Sequence, residues 1–229
     1  ASGRLFGLVH LLSKAAAEFA AIVSDRELPT VLVTGEMYVR CDEFSNDFTI
    51  RKLEERGIRT RLSPFNEWLE YVDRWNVEEG RRGGFGAQIS SAIQRRIQRL
   101  TYQAVQKRLG WPARTTVKES VAAAAPYIRR ALGGEAVLTL GGAVHEWREG
   151  VIDGVVSIGP LECMPNKIAE SQFFHVAGQE GLLSLTLPLN GDPIDPEVLD
   201  TFAFEVHARC RARQAAAAVG QQTGKLHGV

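Results

Sequence analysis

Within about thirty residues after Pro29 the chain reads as a strand, a helix and a second strand, an order that leaves few ways to fold. Thr30 to Gly35, TVLVTG, is a β-branched run entered from a proline and closed by a glycine, the pattern of a buried strand. Ser45 or Asn46 can cap the helix that follows, whose apolar members are Phe48, Ile50 and Leu53 and whose left-handed stop is Gly57. Ile58 to Leu62 forms the second strand. Strands joined through a helix pair in parallel with a right-handed crossover, and a parallel sheet has to be covered by helices on both faces.

The remainder extends this pattern. Asp153 to Ile158, DGVVSI, is the clearest further strand; a helix over Met164–Val176 follows, then a strand over Leu182–Leu187 and a closing helix over Pro196–Arg211. Between the two halves lies a helical excursion. Phe65–Val77 carries Trp68, Tyr71 and Trp75 at helical spacing, more a core stripe than a ligand platform. Glu78–Gln88, EEGRRGGFGAQ, has the composition of a flexible linker; it lacks the GK[ST] ending of a phosphate loop. Helices are expected over Ile89–Leu109, a basic segment containing Arg95, Arg96 and Arg99, and over Val117–Leu132. Ala136–Trp147 is open between strand and helix because Gly141–Gly142 interrupts it, and helix is preferred. The expected fold is therefore α/β: a Rossmann-like open parallel sheet of about four strands, helices on both faces, and a helical insertion at about residues 65–132. Residues 1–28 form an N-terminal helix, 29–212 the α/β domain with its insertion, and 213–229 a frayed tail with little to bury.

Charge and cysteine content narrow the function. The 229 residues carry 27 basic and 27 acidic side chains, so net charge gives no reason to expect nucleic acid or an anionic membrane as partner. The apolar run Leu5–Val23 is interrupted by Lys14 and Glu18 and is too short to span a bilayer, so a cytoplasmic protein is expected. Three widely spaced cysteines do not make a disulfide framework. Because the sequence starts at Ala1 and enters a helix almost at once, a fragment of a longer polypeptide is also an expectation.

The strongest chemical signal is GPLECMPNKIAES, Gly159–Ser171. A buried strand ends, Gly159–Pro160 turns the chain, and a helix opens near Pro165. Cys163 then lies at the carboxyl end of a strand and the amino end of a helix, where open α/β sheets bind ligands. The helix dipole there favours thiolate, the form that ligates metal or attacks an electrophile. The plainer reading is a small cysteine filling a gap at the sheet rim. A catalytic cysteine would need a histidine base, and neither His145 nor His175 has a context that points to one. Cys41, in GEMYVRCDEFSND, also belongs to a strand-to-helix loop, and would converge with Cys163 if the first and third strands are neighbours. Its plainer reading is an incidental loop residue. Cys210, in RCRAR, reads as a bystander.

Two long strings carry a family resemblance. VTGEMYVRCDEFSNDFTIRKLEERGI with LSPFNEWLEYV, and VKESVAAAAPYIRRALGGEAVLTLGGAVHEWREGVIDGVVSIGPLECMPNKIAES, resemble the C-terminal region of the large activase-related proteins of 2-hydroxyacyl-CoA dehydratases. Those proteins are relatives of the dehydratase and benzoyl-CoA reductase subunits. The similar elements run in the same order from about Pro29 to Arg211. The resemblance implies an iron–sulfur cluster, of the [4Fe–4S] kind, held by cysteine thiolates. It makes Cys163 of the CMP segment the natural ligand and Cys41 a possible second. The implied role is to relay a low-potential electron or to act on a CoA thioester in an anaerobic cytoplasm. The implied partner is an actin-like ATPase activase domain or a dehydratase or reductase subunit. Glu162 departs from the pattern by placing an acid beside Cys163, and Cys41 stands where the family has other residues. A cluster-free α/β domain that docks a partner through the Arg95–Arg99 helix is the alternative.

Overall fold

The computed structural model describes residues 5–24, 26–80 and 85–226. Its strands are β1 (Thr30–Gly35), β2 (Arg59–Leu62), β3 (Gly154–Pro160) and β4 (Ser184–Leu189). They form one sheet in the order β2-β1-β3-β4 with every neighbouring pair parallel. Val31, Leu32 and Val33 of β1, and Val155, Val156 and Ile158 of β3, are buried, as expected of central strands covered on both faces. The edge strand β2, RTRL, is part-exposed and charged, which discourages pairing with a further strand.

The helices are α1 (Leu8–Ala20), α2 (Thr49–Glu55), α3 (Asn66–Glu78), α4 (Phe85–Leu109), α5 (Val117–Ala124), α6 (Glu135–Arg148), α7 (Met164–Glu180) and α8 (Pro196–Leu226). One face of the sheet offers Val31, Val33, Val156 and Ile158 to Leu53 of α2 and to Leu199, Phe202 and Val206 of α8. On the other, α6 runs over β1 and β3, and α7 over β3 and β4. The α/β expectation holds in class, strand number and strand direction.

By proximity the chain divides into two units, Ala1–Arg26 with Asn66–Thr116, and Glu27–Phe65 with Val117–Val229. In the first, α1 packs on α4, Trp68 and Tyr71 stack at 5.8 Å, and an Arg114–Glu70 ion pair of 2.9 Å is largely shielded from solvent. Tyr71 is buried there, so the aromatic stripe serves packing. The second unit contains the sheet.

Four local expectations change. The helix expected over Val117–Leu132 stops at Ala124, because the residue before a proline is pushed out of the helical region, and Arg130–Leu132 forms a separate 3-10 turn. The helix α4 begins at Phe85 instead of Ile89, and residues 81–84 of the expected linker lie outside the described residues. The strand expected over Leu182–Leu187 is displaced to Ser184–Leu189. Finally, α8 continues through Leu226 where a frayed tail was expected; QAAAAV is rich in the best helix former.

Gly141 and Gly142 sit inside α6 and do not break it. At Gly141 a Cβ would stand 2.0 Å from the carbonyl oxygen of Ser120, so the missing side chain is what lets α5 lie against α6. At Gly142 the nearest atom, Ser120 Oγ, is 3.8 Å away. Two neighbouring substitutions should therefore diverge. Gly141→Ala is expected to lower unfolding stability by about 2–4 kcal/mol through overpacking, whereas Gly142→Ala should be neutral or stabilising by up to about 1 kcal/mol. Urea titrations of both variants followed by circular dichroism measure the difference.

Candidate functional site

In the order β2-β1-β3-β4 the chain leaves β1 in one direction and later returns to its other side as β3. The loops after β1 and β3 therefore part company, and their separation opens the crevice where ligands bind in open parallel sheets. Both candidate thiols stand on these loops.

The β1 loop begins with a close approach. Gly35 has φ +108°, and a Cβ there would sit 2.0 Å from the carbonyl oxygen of Ile158 on β3. Only glycine allows the backbone to turn so near its neighbour. The next residue uses that proximity: the Glu36 N–H donates to Ile158 O at 2.8 Å. Glu36 then organises the turn, its carboxylate accepting from the Val39 N–H at 2.7 Å and its carbonyl from the Arg40 N–H at 3.0 Å. Arg40 is buried and donates through a guanidinium nitrogen to Gly35 O at 2.9 Å. Asn46, also buried, donates to Val39 O at 3.0 Å and accepts from the Thr49 N–H, the first of α2, at 3.1 Å, although the N-cap residue of that helix is Phe48. Cys41 closes the 3-10 turn Val39–Cys41 and is exposed.

The β3 loop is pinned differently. Asn166, in the first turn of α7, accepts from the Ser157 hydroxyl of β3 at 2.8 Å in a buried bond. Gly159 makes room for that contact, since a Cβ there would meet the Asn166 amide nitrogen at 2.8 Å. Cys163 is the N-cap residue of α7 and partly exposed; its N–H donates to Pro160 O at 3.0 Å and its carbonyl accepts from the Lys167 N–H at 2.9 Å. A serine or aspartate would normally cap here through oxygen, yet the Cys163 side chain makes no capping hydrogen bond. The sulfur is thus held by backbone at a helix start without being used in the cap.

Cys210 lies elsewhere. It is buried on α8 beside Asp153, which stands just before β3 at the amino edge of the sheet. There the buried Asp153 carboxylate accepts from the Thr30 N–H at 2.9 Å and from Arg213 at 2.8 and 3.1 Å. Burial, and then the Asp153 charge, push the Cys210 thiol up, which suits an inert packing residue.

Sequence reasoning missed Glu135. It opens α6, a position where an acid is usually favoured, and its Oε1 is buried without a hydrogen-bond partner. Burial pushes its carboxyl up to about 7, against the pull of the Arg40 charge; Glu36 raises it further and a backbone hydrogen bond from Met37 lowers it. Glu36, Arg40 and Glu135 thus form one acid–arginine–acid group beneath the β1 loop. Their signal was present in the GE-YVR and GEAVLT strings, whose polar letters did not fit a buried pattern and were read only as marks of resemblance.

A [4Fe–4S] cluster takes four thiolates. The carboxyl edge offers Cys41 and Cys163, and among the described residues no group of three or more His, Cys, Asp or Glu side chains could hold a metal ion. One chain does not by itself make up the ligand set. No helix among the described residues is long and apolar enough to cross a membrane. No protein-family model, curated protein or solved structure matches the chain.

The Glu135 environment makes stability depend on pH. The unfolded carboxyl loses its proton near its ordinary 4.5 and the folded one near 7, so between those values the folded state binds more protons. Stability therefore falls as pH rises through that window and is level above it. Glu135→Gln, which mimics the neutral acid, should leave stability at pH 4 unchanged. At pH 8 it should raise stability by about 1–3 kcal/mol, solvent screening the partly enclosed group. Paired denaturant titrations at the two pH values check this.

Proposed function

We propose that this chain is an iron–sulfur-associated redox module of the acyl-CoA dehydratase and activase group, with Cys163 as a cluster ligand and Cys41 as the second. What carries the reading is the position of Cys163. A buried central strand delivers it to the sheet's carboxyl edge, Asn166 fixes the helix start beneath it, and the cap leaves its sulfur unused. The topology adds to this by bringing the Cys41 loop to the neighbouring strand at the same switch point. The resemblance of the two long strings supplies the chemistry: relay of a low-potential electron, or action on a CoA thioester, in an anaerobic cytoplasm. The partner is an actin-like ATPase activase domain or a dehydratase or reductase subunit. This chain's own part is to hold the two loops rigidly and to present soft anionic ligands; the cluster supplies the electron chemistry when bound.

A second reading has an observation of its own. Helix α4 carries Arg95, Arg96, Arg99, Lys107 and Arg108 and no acid, and these cations are exposed without an ion pair to any described residue. A cluster-free domain docking an acidic partner through this helix would use that surface.

Purification under strict anoxia followed by iron and acid-labile sulfide analysis separates the two. The expected protein is brown and contains both. Cys163→Ser should lose most of the iron and the colour, and Cys210→Ser should keep them. A colourless, iron-free protein prepared without oxygen would leave the docking reading standing alone.

A further inference from the structure

We infer that α1 is a self-association helix: a second copy of this chain lays its own α1 antiparallel against it, about a two-fold axis at Ala15. Neither candidate thiol takes part in this contact.

The first unit is short of a core. Among its described residues only Ala16, Glu67 and Tyr71 are buried, although it holds the helices α1, α3 and α4. Helices are held mainly by burying an apolar face, so a unit with so little inside leaves apolar surface to be covered. On α1 that surface is continuous. Leu8, Leu11 and Phe19 are 41%, 62% and 61% exposed, Ala15 is half-buried between them, and Ile22, in the turn that closes the helix, is 77% exposed. The Ala21 N–H donates to Ala17 O at 3.2 Å and the Ile22 N–H to Phe19 O at 3.1 Å, which keeps Ile22 in line with the others. At about 3.6 residues per turn the five fall on one face. The buried Ala16 lies to one side of that face, and α4 is the helix packed on α1.

The spacing of the stripe says what fits it. The steps from Leu8 to Leu11, Ala15, Phe19 and Ile22 are three, four, four and three residues, the same read from either end. Their mean is the step of helices that pair along a seam. An antiparallel copy centred on Ala15 sets Leu8 opposite Ile22, Leu11 opposite Phe19, and Ala15 opposite itself. The smallest member thus stands where the two helices cross, and one patch covers itself on both copies at once.

Charge agrees with this register. Lys14 and Glu18 are exposed on one flank of the stripe, 4.0 Å apart. A two-fold axis across antiparallel helices joins like flanks head to tail, so Lys14 of each copy meets Glu18 of the other. A parallel pair would instead oppose lysine to lysine and glutamate to glutamate. A lipid surface fits less well, because an in-plane helix flanks its apolar face with cations, and this flank is balanced.

The test follows the mass of the whole chain, kept reduced, by analytical ultracentrifugation from about 1 µM to about 1 mM. The expected result is a monomer–dimer equilibrium. Leu11→Glu and Phe19→Glu alter side chains that are already exposed, so native circular dichroism spectra are expected; each should weaken the dimer by at least about tenfold. Leu69→Glu, at an exposed apolar residue of α3, should leave it unchanged. Lys14→Glu and Glu18→Lys should each weaken self-association about threefold or more. An equimolar mixture of those two variants should recover the original affinity, since each then meets its opposite charge.

A monomer at every concentration, a dimer indifferent to Leu11→Glu and Phe19→Glu, or a mixture no tighter than its single variants would overturn the antiparallel contact. So would a monomer that sediments with vesicles of equal parts phosphatidylserine and phosphatidylcholine and is released by Leu11→Glu, which would assign the stripe to lipid. None of these readouts involves iron, so the cluster reading stands or falls separately.

Discussion

One short backbone contact governs the carboxyl edge. Gly35 ends β1 at a conformation that side chains resist, within van der Waals contact of Ile158, and the Glu36 N–H then bonds the Ile158 carbonyl. The parallel pairing of β1 with β3 is thereby carried one residue past the strand, to the point where the two loops diverge. Everything placed on the first loop follows from it. Glu36 accepts two N–H groups of the turn, Arg40 returns to the Gly35 carbonyl, and Asn46 ties the turn to the start of α2. A side chain at residue 35 would displace this set as a unit, because each bond uses the geometry set by the one before.

The two ends of the sheet are closed by different physics. At the amino end the buried Asp153 takes the Thr30 N–H and the Arg213 fork, so one carboxylate joins β1, β3 and α8. Both oxygens of that carboxylate have partners. The carboxyl end instead retains a carboxyl oxygen of Glu135 without a partner, a helix cap with a sulfur in place of an oxygen, and a margin of exposed aromatic and aliphatic side chains. Natural interiors satisfy their polar groups, and departures from that rule gather where function needs them. The asymmetry between the two ends points to the carboxyl edge independently of any motif.

How much of this was legible in the sequence follows the same physics. The strands β1 and β3 are continuous apolar runs bounded by glycine or proline, and such runs can hardly be placed except as buried parallel strands. The loop around Cys163 was equally plain, because strand, Gly–Pro turn and helix start stand in consecutive residues. Strand order was not readable: nothing local in Thr30–Gly35 states that β3 and not β4 lies beside it, and that neighbour relation decides whether Cys41 and Cys163 share an edge. The Glu135 group was invisible for a related reason. Glu135 stands nearly a hundred residues beyond Glu36 and Arg40, and each of the three alone resembles an ordinary surface acid or base. The ends of helices misled as well, since Ala124 before its Pro126 turn and the alanine-rich end of α8 are settled by backbone sterics and propensity in opposite directions.

The charge on the edge joins the burial of Glu135 to the thiols. With Glu135 protonated, the Arg40 cation and the Glu36 anion balance, and the ground beneath the β1 loop is neutral. With Glu135 ionised, the same group carries one net negative charge in a partly buried setting, where it is poorly screened. Arg40 immediately precedes Cys41, and an anion at that place would repel a thiolate and any anionic ligand brought to it. By holding the Glu135 carboxyl up to about 7, burial delays that charge until the pH approaches neutrality. A lysine in place of Arg40 would not maintain the balance in the same way. A guanidinium stays charged and can bond Gly35 O while still facing a carboxylate, whereas a buried ammonium is readily driven to its neutral form. The arginine thus serves both the shape of the loop, through its bond to Gly35, and the charge balance with Glu36 and Glu135 beneath it.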